Sequence, residues 1–310
     1  MTAVGSSVAA SAVSRLVSPI PNAIKKKPKW PRALAHGFLM VIAVTWLLPL
    51  FWAFYTSLRT ESDTTTHGYF SVAKQLTMKN YSSVWKDGRI LHFFQNTMLI
   101  TLPAVLITLV LSSMVAFTAT RLSSRFNLMM LVLFTAGNLL PQQVLVLPLF
   151  QMFKRMWAPW FLSDGGHVLN SSFGLILIHV AFQTGFCTFV LSNYMKTIPG
   201  DLSEAAMVDG ANIWTQFRTV IMPLCRPALA ALGTLQFTWV YNDFFWAAVF
   251  IPSGDKRPIT SAIANLQGQF AANYNLVAAA SILIAVPTLV VYAALQKQFI
   301  SGLTLGASKG

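Results

Sequence analysis

Residues 203–223, SEAAMVDGANIWTQFRTVIMP, form a charged segment with helical periodicity that lies between two long hydrophobic runs. The segment carries Glu204, Asp209 and Arg218, although the 310-residue chain is 55% hydrophobic and only 10% charged. A soluble domain averages about 25% charged residues, so the composition predicts a protein that crosses a membrane several times. A structured, charged segment in one of its loops is then the feature that needs an explanation.

Six apolar runs are long enough to cross a bilayer, whose hydrocarbon core needs about 20 residues of helix. Each run is expected to be helical, because lipid offers no partner for the backbone groups of an open strand. The predicted fold is therefore an all-α polytopic membrane protein with six transmembrane helices. The predicted spans are residues 34–58, 95–120, 127–150, 172–194, 227–250 and 275–296.

Positive charge at the start of the chain sets the predicted orientation. Residues 1–33 hold six Lys or Arg and no acidic residue, which predicts a flexible basic cytoplasmic tail before the membrane domain of residues 34–296. Six crossings return the C-terminal tail, residues 297–310, to the cytoplasm, and the segment 195–226 lies there too. The formal charge of +13 resides in tails and loops, so it indicates membrane topology and not nucleic-acid binding.

The cytoplasmic segment is predicted to form an elbow of two short helices, at about residues 199–223. Asp201 is expected to cap the first helix, with Glu204 completing a capping box three residues later. Gly210 stands where a helix ends in a left-handed turn, and Asn212 can cap the second helix. The second helix has an apolar stripe that could lie on the membrane or dock into a cytosolic partner, and the acidic residues of the elbow favour the partner. The stripe consists of Ile213, Phe217, Val220 and Ile221.

The elbow carries a recognisable motif: Glu204-Ala205-Ala206, then Gly210 after three residues, and Val220-x-Met222-Pro223 after nine more. This pattern resembles the EAA signature of bacterial ABC importer permeases, E-A-A-x3-G-x9-I-x-L-P, with conservative changes at its two aliphatic positions. Other stretches resemble the carbohydrate branch of that family, although YNDFFW has Tyr241 at the first position of W-N-x-F-x-W. The resemblance runs from about residue 35 to the end and is strongest to the smaller permease subunit of maltose-type importers. The other stretches are IPGDLSEAAMVDGA (198–211), LLPQQVLVLP (139–148), YNDFFW (241–246) and LTLGASKG (303–310).

The resemblance implies that the elbow is a coupling helix, which fits a cleft on a separate ATP-binding subunit and transmits its closure to the spans. It implies that Glu204 contacts a basic group of that subunit and that Gly210 makes the sharp turn. It also implies a second, homologous permease, two ATP-binding subunits and an extracytoplasmic solute-binding protein, at a bacterial cell membrane. The implied ATPase contacts are Glu204, Ala205, Ala206, Asp209, Gly210 and Pro223 in the elbow, and Gly302, Gly306 and Lys309 in the tail.

The sequence contains no motif for catalysis. It has no G-x-x-x-x-G-K-[ST] phosphate-binding loop and no Gly-Lys dipeptide, so ATP with magnesium is expected on the partner subunits and no cofactor on this chain. The five histidines show no metal-ligand spacing, so no metal site is expected. The chain is therefore predicted to be a non-catalytic transport subunit.

Polar and aromatic residues at membrane depth mark a candidate substrate path. Asn138, Gln142 and Gln143 lie in the third run, where they would line a watery path or bond to neighbouring helices. Asp243 is the only acid inside a predicted span, and a carboxylate beside aromatic rings suits a sugar. The same residues could instead form an interfacial belt with an ion pair between helices. The candidates around Asp243 are Trp239, Tyr241, Asn242, Phe244 and Trp246.

A proton-coupled secondary transporter that uses Asp243 and His179 is the alternative from another functional class. Such transporters usually contain internal repeats, and the sequence shows no convincing repeat. Glycerol phosphate is the alternative substrate, because its importers share the motifs quoted above. The sequence names no particular sugar.

Overall fold

The computed structural model of the chain describes residues 30–86, 88–121, 127–137, 141–160, 162–163, 165–251, 254–262 and 273–304. The chain divides into two compact units, residues 1–51 and residues 52–310. The described part of the first unit is helical throughout, and the second unit contains all the other described helices. The predicted basic tail lies mostly outside the described residues, since the first helix begins at Trp30.

Helices form wherever the sequence is continuously apolar, and shorter helices occupy the loops. They are α1 (Trp30–Ser57), α2 (Glu61–His67), α3 (Lys79–Lys86), α4 (Ile90–Arg121), α5 (Asn127–Gly137), α6 (Gln142–Arg155), α7 (Ser172–Met195), α8 (Asp201–Val208), α9 (Ile213–Thr215), α10 (Met222–Leu224), α11 (Arg226–Tyr241), α12 (Phe245–Phe250) and α13 (Tyr274–Thr304). Among the described residues, α1, α4, α7 and α13 are each long and apolar enough to cross a membrane. They correspond to the first, second, fourth and sixth predicted spans.

The third and fifth predicted spans are interrupted. The run 127–150 forms α5 and α6, and α6 begins directly after Pro141, whose ring leaves no backbone N–H to continue a helix. The run 227–250 forms α11 and α12, which residues 242–244 separate. A bend of 74° separates Ile213–Leu224 from α11, so the described residues provide four membrane-length helices, or five if this bent pair is one span. Six crossings and the cytoplasmic position of both tails stay predictions.

Helices α4 and α7 pack against each other, and other parts of the fold pack on this pair. Ser112 of α4 and Thr184 and Thr188 of α7 are buried, and the Ser112 hydroxyl donates to the Thr184 carbonyl at 3.1 Å. Small side chains let helix backbones approach closely, which matters in lipid because apolar surface alone gives no drive to associate. One hydrophobic cluster joins this pair to the elbow, and another joins it to α6 and α12.

The segment that follows α1, between the first and second predicted spans, is folded around a buried arginine. The Arg59 guanidinium is fully buried and donates to the Asp63 carboxylate at 2.8 Å, the Tyr69 carbonyl at 3.0 Å and the Ser71 hydroxyl at 2.8 Å. It also lies over the Tyr55 ring, 5.5 Å from the ring centre. Burying a guanidinium costs little only when its donors are paired, and here each of its three nitrogens has an acceptor.

Two buried amides tie this loop to its neighbours. Asn275, at the start of α13, donates to the carbonyl oxygens of Thr56 and Arg59 at 3.0 Å, and its own oxygen accepts from the Thr64 hydroxyl at 2.9 Å. Asn80 of α3 donates to the Arg59 carbonyl at 2.8 Å. The segment that the sequence predicted only as a loop is therefore a small packed structure with its own polar core.

Candidate functional site

The elbow begins with α8, which ends in a glycine turn. The Gly210 amide donates to the Met207 carbonyl at 3.0 Å and the Ala211 amide donates to the Ala206 carbonyl at 2.9 Å, which are the two bonds of a Schellman motif. Gly210 has a φ of +81°, a left-handed conformation that a residue without a Cβ adopts at no steric cost. The predicted turn at Gly210 is confirmed.

The predicted capping box at the start of α8 is wrong. Gly200 is the N-cap residue, Asp201 is already the first helical residue, and no side chain caps the helix. The backbone at Gly200 is helical, with φ −63° and ψ −36°, so the extended geometry that a capping side chain needs is absent there. The Glu204 side chain is exposed and, within the described part of the chain, has no hydrogen bond or ion pair. Its carboxylate is therefore free to meet an outside partner.

The second half of the elbow buries most of its apolar stripe: Phe217 and Ile221 are buried and Val220 is partly buried, whereas Ile213 is exposed. Asn212 caps α9 as predicted, because its side-chain oxygen accepts from the Thr215 amide at 2.8 Å. A π-helical turn, Gln216–Ile221, follows and buries Phe217 and Ile221 in the cluster with α4 and α7. The predicted second helix is thus part α-helix and part π-helix. A π-helical turn is uncommon and frequently occurs at functional positions.

Both ends of the elbow are fixed to other helices. Arg121, the last residue of α4, donates to the carbonyl oxygens of Met195 and Ile198 at 2.9 Å, just where the chain leaves α7. Carbonyls at a helix C-terminus lack helical partners and favour a cation. At the other end, the Tyr194 hydroxyl donates to the Leu224 carbonyl at 3.2 Å. These bonds therefore tie the elbow to α4 and α7.

The outer face of the elbow is open to solvent and carries large apolar side chains beside two acidic residues, Glu204 and Asp209. Val208 is 88% exposed, Trp214 57% and Met207 56%. Ala206 and Pro223, also predicted contacts, are partly buried. Large apolar side chains that stay exposed beside charged ones mark an interaction surface. We call this face the elbow surface, and it consists of Leu202, Glu204, Ala205, Met207, Val208, Asp209, Ile213 and Trp214.

A second feature is a cavity of about 440 Å³ lined by residues of α6, α7, α11, α12 and the α11–α12 break. This volume is in the range of small-molecule sites. Aromatic rings and hydrogen-bonding side chains contribute equally to its lining. The lining residues are Gln142, His179, Phe182, Gln183, Phe186, Trp239, Asp243 and Trp246.

Asp243 lies at the break between α11 and α12. Its carboxylate oxygens accept from the backbone amides of Trp246 at 3.3 Å and Ala247 at 3.2 Å, which fixes the carboxylate on the first turn of α12. His179 Nε2 lies 3.6 Å from one of these oxygens. That distance is too long for a hydrogen bond, and a water or a ligand hydroxyl can bridge it. Asp243 is thus held by backbone amides and still faces the cavity.

Two pairs of aromatic rings form the walls of the cavity. Phe182 stacks on Trp246 with ring centres 5.2 Å apart, and Phe186 lies 5.3 Å from Trp239 at a tilt of 54°. Such pairs hold their rings in fixed orientations. Fixed ring faces next to amide and carboxylate groups match the alternating apolar and hydroxylated surfaces of a sugar.

The structure brings four of the nine predicted path residues to this cavity, namely Gln142, Trp239, Asp243 and Trp246. The prediction missed the contribution of α7 and assigned His179 only to the alternative function. The α7 residues recur at spacings of three, four and seven, which places them on one helix face. This helical spacing in the sequence could have identified the α7 side of the cavity, which consists of His179, Phe182, Gln183 and Phe186.

The remaining predicted path residues lie elsewhere. Tyr241 is fully buried and donates to the Ile284 carbonyl at 3.0 Å, so it faces α13 and does not line the cavity. The Asn242 amide donates to a carbonyl of its own helix, while Gln143 and Phe244 are exposed without lining the cavity. Of the other predicted residues, Gly302 lies in α13, and Asn138, Gly306 and Lys309 lie outside the described residues.

Comparison with known proteins places both features in one family. The family model described as binding-protein-dependent transport system inner membrane component matches residues 108–303. A probable ABC transporter permease of Pyrococcus horikoshii is 30% identical over 264 residues, which cover 84% of this chain and 92% of the relative. A melibiose/raffinose/stachyose import permease of Bacillus subtilis is 30% identical over 271 residues, covering 87% and 94%. A chain of a bacterial ABC transporter involved in alginate import has a TM-score of 0.72 at 22% identity, over 88% of this chain and 98% of that one.

The chain belongs to the family of binding-protein-dependent transport system inner membrane components, which are permeases of ABC transporters. The solved alginate transporter shows that the fold is that of an ABC importer permease. The predicted resemblance to this family is confirmed, and the chain is a multi-pass membrane protein.

Proposed function

We propose that the chain is one of two permease subunits of an ATP-driven importer in a bacterial cell membrane, and that the importer carries a sugar or oligosaccharide. The observation that carries this proposal is the elbow surface. An exposed helix bears the EAA residues, a glycine turn closes it, and both its ends are fixed to membrane helices. This is the arrangement that a partner needs in order to push on the spans.

A single helix joins the elbow to the cavity. After the 74° bend, α11 runs for 16 residues, about 24 Å at 1.5 Å per residue. Its last turn carries Trp239, and Asp243 follows directly after it. A displacement of the elbow would therefore shift the cavity wall on α11 against the wall on α7. This geometry supports a mechanism in which closure of the ATP-binding subunits changes the shape of the cavity.

The energy source is assigned to partners because the sequence lacks a phosphate-binding loop. Two ATP-binding subunits would hold ATP with magnesium and contact the elbow surface. Glu204 and Asp209 make that surface acidic, so the facing cleft is expected to be basic. The tail from Gly302 through Gly306 and Lys309 is proposed to contact the same subunits.

An extracytoplasmic solute-binding protein is the proposed source of substrate. A second alginate transporter structure, with a TM-score of 0.63 at 18% identity, contains a periplasmic protein bound to an alginate pentasaccharide. The family description also names a binding protein. Delivery from outside fits an importer whose cavity is connected through α11 to a cytoplasmic elbow.

A sugar is the substrate class that the relatives and the cavity support together. Besides the Bacillus subtilis permease, an alpha-glucoside transport permease of Rhizobium meliloti is 29% identical over 76% of this chain. The secondary-transporter alternative gains no support, because membership of an ABC family assigns the energy to ATP and because backbone amides already engage the Asp243 carboxylate.

Affinity purification of the tagged chain from its native membrane in mild detergent tests the proposed assembly. We expect a second permease and two copies of an ATP-binding subunit to co-purify in stable proportion. A homodimer of this chain that transports without any ATP-binding subunit would contradict the proposal.

A further inference from the structure

We infer that the cavity between α7 and α11 admits a neutral sugar ring and rejects anionic substrates, with Asp243 as the residue that sets this charge selectivity. The inference rests on the proposed function and adds to it the charge of the substrate. It also separates neutral glycosides from glycerol phosphate, which the sequence motifs alone do not do.

The charge balance of the cavity is the first argument. Asp243 is the only acidic lining residue among those that the structure describes, and no Lys or Arg lines the cavity there. The stretches 138–140, 252–253 and 263–272, which the structure leaves undescribed, contain no Lys or Arg either. A phosphate, sulfonate or carboxylate group in a protein site is normally met by Arg, Lys or clustered amides. This cavity would instead place such a group beside a carboxylate.

The burial of Asp243 is the second argument. Its side chain is only 12% exposed and that of the neighbouring His179 only 6%, so little bulk water screens the charge. The two amides of α12 that bond the carboxylate fix its position, so that it cannot turn away from a bound anion. A sugar hydroxyl, by contrast, can donate to a carboxylate and gain a charge-assisted hydrogen bond.

The fold itself leaves the charge of the substrate open. The solved neighbour imports the acidic polysaccharide alginate, and a relative 28% identical to this chain is a sulfoquinovosyl glycerol permease of Agrobacterium fabrum. The fold therefore does not set the charge of the substrate, and the side chains that line the cavity must set it. In this chain the fixed carboxylate at residue 243 is the side chain placed to provide it.

Charged thiol reagents measure the cavity potential without knowledge of the natural sugar. The two native cysteines, Cys187 and Cys225, are fully buried, whereas Trp239 is 44% exposed. The variant Trp239→Cys therefore places an accessible thiol in the cavity of the purified complex. We would compare the rates of its modification by a cationic and an anionic methanethiosulfonate at pH 8.

We expect the cationic reagent to react about tenfold faster than the anionic one, after correction for their rates with a free thiol. Adding Asp243→Asn should bring the ratio close to one, because asparagine has the same shape and no charge. Asp255→Asn is the matched control: the Asp255 side chain is 76% exposed and does not line the cavity, so the loss of its charge should leave the ratio unchanged.

A ratio near one with Asp243 intact would overturn the inference, and so would protection of the thiol by glycerol 3-phosphate. Failure of the inference can be distinguished from failure of the proposed function. In the first case the wild-type complex still shows ATP hydrolysis coupled to uptake, and only the ratio measured on the Trp239→Cys complex differs from the expected one. In the second case no ATP-binding subunit assembles with the chain, whatever the ratio.

Discussion

Glu204→Lys is expected to lower ATP-driven uptake by about 100-fold or more while the chain still folds and inserts. Reversing a charge in a desolvated contact costs several kcal/mol, and each 1.36 kcal/mol is a factor of about ten. Glu204 is exposed, so the substitution removes no internal contact. Loss of the negative charge of Glu204 from the first turn of α8 weakens the helix by only about 0.3–1 kcal/mol. The measurement is uptake by reconstituted complexes at equal amounts of chain.

Asp201→Lys is the matched control for the charge. Asp201 lies in the same first turn and is also exposed, so its reversal changes the helix dipole interaction to a similar extent. It lies outside the EAA residues, and near-normal uptake is expected. Glu204→Gln, which loses the charge and keeps the shape, should give an intermediate defect. Equal defects in Asp201→Lys and Glu204→Lys would show that the effect is general electrostatics and not coupling.

The glycine turn provides an independent check of the same surface. No atom lies within 4 Å of the place where a Cβ would stand on Gly210, so a substitution there acts through backbone conformation alone. Gly210→Val puts a β-branched residue at a φ of +81° and should abolish uptake by deforming the turn. Gly210→Asn should retain most of the uptake activity, because asparagine tolerates the left-handed region of backbone conformation.

Arg59→Met is expected to lower the melting temperature of the complex by about 10 °C, because it leaves a buried carboxylate and other acceptors without their donor. The effect should appear first in the outer region, where Arg59 bonds Asp63, Tyr69 and Ser71. Differential scanning fluorimetry of the purified complex, with hydrogen exchange over the loop, measures it. Arg89→Met is the control, since the Arg89–Asp255 ion pair is exposed and should contribute little.

The pH dependence of this network follows from Asp63. Burial of its carboxyl raises the pKa. The hydrogen bond and charge of Arg59, together with a backbone hydrogen bond at Lys74 and the neighbouring His67, lower it by more, so the pKa lies below its usual value. Because the folded-state pKa is lowered, the stabilisation by Asp63 is fully present above the usual carboxyl pKa of about 4 and is lost as pH falls through the lowered value. The difference in melting temperature between wild type and Asp63→Asn should stay constant from pH 8 to 5 and shrink only below about pH 4. A difference that already falls between pH 7 and 5 would contradict this assignment.

Local signals predicted the continuous spans and the elbow turn. The helices α1, α4, α7 and α13 follow from uninterrupted apolar runs, and Gly210 and Asn212 act through hydrogen bonds within a few residues. The prediction that Asp201 caps α8 was wrong, because the backbone at Gly200 is already helical. That conformation depends on how the chain leaves α7. Propensity at one position does not report the conformation of the residue before it.

Contacts between distant residues were beyond a single sequence. Thr64 and Asn275 are separated by 211 positions, and no periodicity links them. Tyr241 and Asp243 are neighbours in the YNDFFW stretch, yet the first faces α13 and the second the cavity. Which neighbour each face of a helix meets depends on the packing of the whole bundle. The α7 residues that line the cavity could have been predicted from the sequence. Their polar and aromatic side chains, taken together, recur with the period of a helix.

Uptake into proteoliposomes tests the central claim most directly, namely that this chain imports its substrate only as part of an ATP-driven complex. Vesicles would contain the chain with its co-purified permease and ATP-binding subunits, with ATP inside and the solute-binding protein loaded with labelled sugar outside. We predict uptake that requires internal ATP and is unaffected by collapse of the proton gradient. Uptake by the chain alone, driven by a pH gradient without ATP, would contradict the account.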